Sequence, residues 1–131
     1  MADAGRISAN DLFSGDPNEI FVDAGVPKYN RRLTDKILAA FNHSYSEGEA
    51  DLARTLWEVL AEAEKRGVQK FKRRRPNQAL ELAALWMAFV DARNNYRKLS
   101  DNPNAVDEDT SRAFRSMKQA YLSWIWHLRQ G

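Results

Sequence analysis

Residues Lys65 to Arg75 read Lys-Arg-Gly-Val-Gln-Lys-Phe-Lys-Arg-Arg-Arg: seven cations, one aromatic and no acid. The whole chain has a formal charge of only +2, so everything outside this run is net acidic by five charges. Guanidinium forks match phosphate and carboxylate oxygens, and a phenyl ring among them can stack on a base or pack on an apolar surface. Lys70, Phe71, Lys72, Arg73, Arg74 and Arg75 are therefore candidate contact residues, with an acidic protein surface or a nucleic acid as the chemistry they would meet. A plainer reading stands beside these. Lys65 and Arg66 suit a helix C-terminus, where the backbone dipole favours cations, and the three consecutive arginines can simply keep a loop soluble or pair with the protein's own acids.

The second signal lies near the C-terminus. At about 100° per residue, Trp124 aligns with Met117, Tyr121 and Leu128, whereas Trp126 points the opposite way and aligns with Leu122. Large apolar groups thus occupy both faces of one helix. Either the rest of the domain wraps it, with the N-terminal arm as one candidate cover, or Leu122 and Trp126 form a contact surface for a partner.

Other chemistry finds little support. The two histidines, His43 and His127, lack neighbours at ligand spacing, and His43 with Glu47 makes a pair on a helix face rather than a zinc site. Phosphate-binding glycine loops, nucleophile elbows and metalloprotease motifs do not occur, and Glu62/Glu64 and Asp107/Glu108/Asp109 read as helix surface and cap. No catalytic residue, metal or cofactor is expected.

These groups must be positioned by helices. A length of 131 residues with 44% hydrophobic content allows one core, and the absence of cysteine removes disulfides and thiolate chemistry, in keeping with a cytoplasmic protein. The sequence has no window of about 18 apolar residues, so no membrane partner is expected. Residues 1–31 are rich in Gly, Asn, Asp and Ser and read as an irregular arm with short helical turns, one of them beginning at Asp16-Pro17-Asn18-Glu19 ahead of Ile20, Phe21 and Val22.

The domain proper spans 32–131. A first helix capped by Thr34 carries Ile37, Phe41 and Tyr45 and ends at Glu47-Gly48. A second runs from about Glu49 to Arg66, with Leu52, Leu56, Val59, Leu60 and Ala63 along one side, and is closed by Gly67. With only a glycine turn between them, the two should fold back as an antiparallel hairpin. A third helix, capped by Asn77 and reaching about Leu99, is apolar on all sides, which makes it the expected core, with Leu82, Leu85, Trp86 and Phe89 nearly inaccessible. After the loop Asp101-Asn102-Pro103-Asn104, a fourth helix capped by Asp107 or Asp109 reaches Leu128, with Ala113, Met117, Ala120, Tyr121, Trp124 and Leu128 as its main stripe.

Leu33 to Arg66, with Gly48-Glu49 followed by Ala53 and aromatic Trp57, resembles a single tetratricopeptide repeat unit, although Ser44 stands where that family carries an aromatic and Leu60 where it carries a small residue. The resemblance implies a helical hairpin with a partner-binding role. The expected fold is all-α: about four main helices in a bundle or hairpin arrangement. The expected function is a non-enzymatic interaction or regulatory module. Its partner would be a protein with an acidic or apolar surface, or a second copy of the chain, with nucleic-acid binding through residues 65–75 as the alternative.

Overall fold

The computed structural model describes residues 32–71 and 78–130. Among the described residues the chain is all-α, with four helices and no strand: α1 (Leu33–Ser46), α2 (Ala50–Phe71), α3 (Gln78–Ser100) and α4 (Asp107–Gln130). The expected arm over 1–31 lies outside the described residues. No helix among them is long and apolar enough to cross a membrane.

The α1–α2 hairpin turns where the sequence places glycine. Gly48 has φ +80°, a conformation that costs a side-chain-bearing residue about 1–2 kcal/mol. Its N–H donates to the Tyr45 carbonyl at 3.2 Å and that of Glu49 to Ser44 at 3.0 Å, the paired bonds of a Schellman close. Nothing lies within 4 Å of where a Cβ would sit, so the backbone alone demands glycine. At the other end of α1 the cap differs from expectation. Arg32, not Thr34, is the N-cap; the Asp35 carboxylate accepts its backbone N–H at 3.3 Å and its guanidinium at 3.1 and 3.2 Å, while Thr34 is buried.

Two expectations for α2 fail. Gly67 does not close the helix, which continues for another turn to Phe71. Gly67 is buried and lies on the same stripe as Ala53, Leu60 and Glu64, so packing of that face outweighs a helical-glycine penalty of about 1 kcal/mol. The stripe itself is rotated by one residue from the expected one. Ala53 and Leu60 are buried, whereas Leu52 and Val59 are exposed, because α2 packs chiefly on α1 and only lightly on α3 and buries a narrow face.

α3 is the centre of the molecule and packs against all three other helices, most extensively α4. Leu82, Trp86 and Phe89 are buried as expected, while Leu85 is only half-buried at the edge of the core. Trp86 lies 5.1 Å from Phe89 and 5.0 Å, edge-on, from Trp124; Phe89 meets Tyr121 at 5.5 Å. Polar bonds fix how α1 lies on α3. The Trp86 indole N–H donates to the Asn42 carbonyl and the Ser46 hydroxyl, and Arg93, buried against the end of α1, donates to the Ser46 carbonyl at 3.0 Å. A cation there satisfies a terminal carbonyl and meets the negative end of the helix dipole. Burial pushes the Arg93 guanidinium below its ordinary pKa.

Candidate interaction surface

α4 has two faces of opposite character. Its inner stripe of Ala113, Met117, Tyr121 and Trp124 is buried against α3, and Ala120 and Leu128 flank it half-buried. The outer side presents Leu122 at 43% and Trp126 at 59% exposure, one turn apart. The Trp126 ring stands edge-on to His127 at 4.9 Å, and His127 Nδ1 donates to the Ser123 carbonyl at 2.8 Å, which orients the imidazole under the indole. Arg115 and Arg129 are exposed on the same side of the helix. After Asp109 the chain has four cations, Arg112, Arg115, Lys118 and Arg129, and no acid. The result is an apolar pair framed by positive charge.

The basic run is divided by the structure. Lys65 and Arg66 are exposed on α2, and Lys70 and Phe71, expected in a connector, fall on the last turn of that helix. Lys72, Arg73, Arg74 and Arg75 lie outside the described residues. Arg66 is held by Glu62, four residues back, at 2.8 Å, and the guanidinium keeps the Glu62 carboxyl below its usual range. At least one cation of the run is therefore paired within its own helix.

Two residues after Glu62, Glu64 plays a part the sequence reading missed. It is 1% exposed rather than on the helix surface, and its carboxylate accepts the backbone N–H of Ala79, fifteen residues on, at 3.1 Å. Ala79 is in the first turn of α3, where N–H groups have no helical partner and the dipole favours an anion. Glu64 thus caps α3 from α2, clamping the two helices together below the connector. The spacing Leu60–Glu64–Gly67, which puts this carboxylate on the buried stripe, is the signal that could have revealed it.

The helices alternate in direction, so the start of α1, the end of α2, the start of α3 and the end of α4 gather at one end of the bundle. Arg32, Lys65, Arg66 and Arg129 lie there, together with the approach to the connector. The other end holds the α1–α2 turn and the α3–α4 loop, with Glu47, Glu49, Asp51, Asp101, Asp107, Glu108 and Asp109; of these, Glu108 and Asp109 both reach Arg112, at 3.3 and 3.2 Å. Leu122 and Trp126 stand on the half of α4 nearer the basic end.

A groove of about 340 Å³ among α1, α2 and α3 is floored by Phe41 and Ala53 and walled by Tyr45, Trp57 and Met87. The Tyr45 hydroxyl donates to Asp91 at 2.7 Å across its edge, and burial together with that bond pushes the phenol up to about 12. Among the described residues no group of three or more His, Asp or Glu is arranged to hold a metal ion. Comparison with models of protein families, with characterised proteins and with solved structures finds no match.

Proposed function

We propose that this chain is a non-enzymatic protein-interaction module that engages an acidic, partly apolar protein surface through the outer side of α4, with the basic run 65–75 as an auxiliary contact at the same end of the bundle. The observation that carries this reading is the exposure of Trp126 at 59% beside Leu122, on the side of α4 away from its buried stripe. An exposed Trp–Leu pair promotes non-specific association unless a partner uses it, and tryptophan and arginine are the residues that most often dominate interface energies. A protein surface fits better than nucleic acid because the cations here surround an apolar pair that a phosphate backbone would leave unused. The resemblance of 33–66 to a partner-binding hairpin points the same way by analogy.

The test uses the full chain as bait against an extract of its native host, with and without nuclease, beside Trp126→Ala and the triple substitution Arg73→Glu, Arg74→Glu, Arg75→Glu. A specific protein should be retained with or without nuclease, about tenfold or more weakly by each variant, which corresponds to about 1.4 kcal/mol or more. Retention abolished by nuclease and insensitive to Trp126→Ala would transfer the reading to nucleic acid. Concentration-dependent sedimentation of the pure chain, lost in Trp126→Ala, would make the partner a second copy.

A further inference from the structure

The chain contains a segment complementary to the α4 face. Residues 7–27 hold four acids, Asp11, Asp16, Glu19 and Asp23, and no cation; residues 110–131 hold four cations and no acid. Between the acids of the first segment stand Ile20, Phe21 and Val22, and between the cations of the second stand Leu122 and Trp126, both exposed. We infer that residues 11–23 dock on the outer side of α4, bringing their apolar run, Phe21 foremost, to Leu122 and Trp126 and flanking carboxylates to Arg115 and Arg129, so that the arm occupies the surface a partner would use. The inference rests on the reading of this face as a binding surface, and adds that the surface is self-occupied.

Reach permits it. The arm joins the bundle at Arg32, beside Glu64 and Ala79 at the end where α4 terminates. Ten residues separate Val22 from Arg32, an extended span of about 33 Å. Two interhelical spacings of about 9 Å from α1 across α3 to α4, plus one helix diameter of about 10–12 Å, require about 30 Å.

Charge and apolar content together favour this face over the exposed flank of α2 and over the basic run. The exposed flank of α2 at Leu52 and Val59 is apolar, but Asp51, Glu58 and Glu62 run alongside it and would repel an acidic segment. The basic run 65–75 would attract the carboxylates yet offers Ile20, Phe21 and Val22 little more than Val68 and Phe71. Of these three faces, the outer side of α4 supplies both partners. A ligand held on the same chain is present at millimolar effective concentration, so even a weak contact is populated.

Because the sequence has no cysteine, Asn18→Cys in the full chain provides a unique attachment point for a nitroxide spin label. With the label oxidised, amide resonances of residues 119–129 should lose most of their intensity relative to the reduced label, and adding Phe21→Asp or raising the salt concentration should restore them. Broadening centred on Leu52 to Ala63, or on Lys65 to Phe71, would overturn the assignment. So would broadening that arises only between labelled and isotopically enriched molecules in a mixture, or none at all. This measurement involves no partner, so it can fail while the partner reading survives. Loss of partner binding in Trp126→Ala tests that reading separately.

Discussion

Trp124 and Trp126 are the same residue two positions apart on one helix, yet the first is 1% exposed and the second 59%. Glu64 and Glu62 repeat the contrast on α2: one carboxylate is sealed against the start of α3, and the other sits in solvent with Arg66. In each pair a rotation of about 200° separates an element of the fold from an element of the surface. Residue chemistry therefore says little about role here until helical phase is known. The inner members hold helices together, and the outer ones are available for contacts that folding does not require.

The largest test of this contrast is Trp124→Ala, which should lower unfolding free energy by about 3–5 kcal/mol, since it opens a cavity beside Trp86 and Tyr121. The denaturation midpoint in urea reads it. Glu64→Ala should cost about 1–3 kcal/mol, because the Ala79 N–H loses its acceptor. Glu62→Ala, removing a solvent-exposed pair, should leave the midpoint essentially unmoved. An equal loss from both glutamates would break the comparison.

Trp126→Ala should change monomer stability by no more than about 0.5 kcal/mol, as for surface substitutions generally. A loss matching that of Trp124→Ala would mean that the domain wraps α4 completely, and the proposed surface would vanish. The smallest expected effect extends the contrast to a group at the margin of the fold. Tyr45 ionises at about 12, above the ordinary 10, so the folded state holds its proton more tightly than the unfolded chain. The associated stability is complete below pH 10 and is lost as pH rises from 10 towards 12. Phenolate absorbance of the wild type minus that of Tyr45→Phe should show this late titration, and Asp91→Asn should move it downward. An ordinary titration in the wild type would remove the Tyr45–Asp91 bond from the structure in solution.

The four helices were legible because each has a strong local signal. A positive-φ glycine stops α1, an acidic first turn opens α4, and Met117, Tyr121 and Trp124 mark its inner stripe. Gly48 and Gly67 show where such reading ends. Both look like stops, but only Gly48 adopts the left-handed conformation; Gly67 is retained in the helix on a buried face, a tertiary effect that local sequence does not encode. The phase of α2 was misjudged for the same reason. Leu52 and Val59 are as hydrophobic as Leu60, and which arc is buried depends on how lightly α2 touches α3. Glu64 was missed with that phase: only the observed phase of α2 sets it on the buried stripe beside Leu60 and Gly67, and its partner there is a backbone N–H fifteen residues away. Of the candidate surface, Leu122 and Trp126 followed from helical phase alone.

The bond from Glu64 to Ala79 closes a ring whose far side is the connector. The alignment of α2 and α3 therefore has a fastening of its own, inside that ring and among the described residues. Lengthening such a loop twofold costs only about 0.6 kcal/mol of closure entropy. What the Glu64–Ala79 bond contributes is thus independent of chain length: it holds α2 to α3 whether the stretch joining them is short or long.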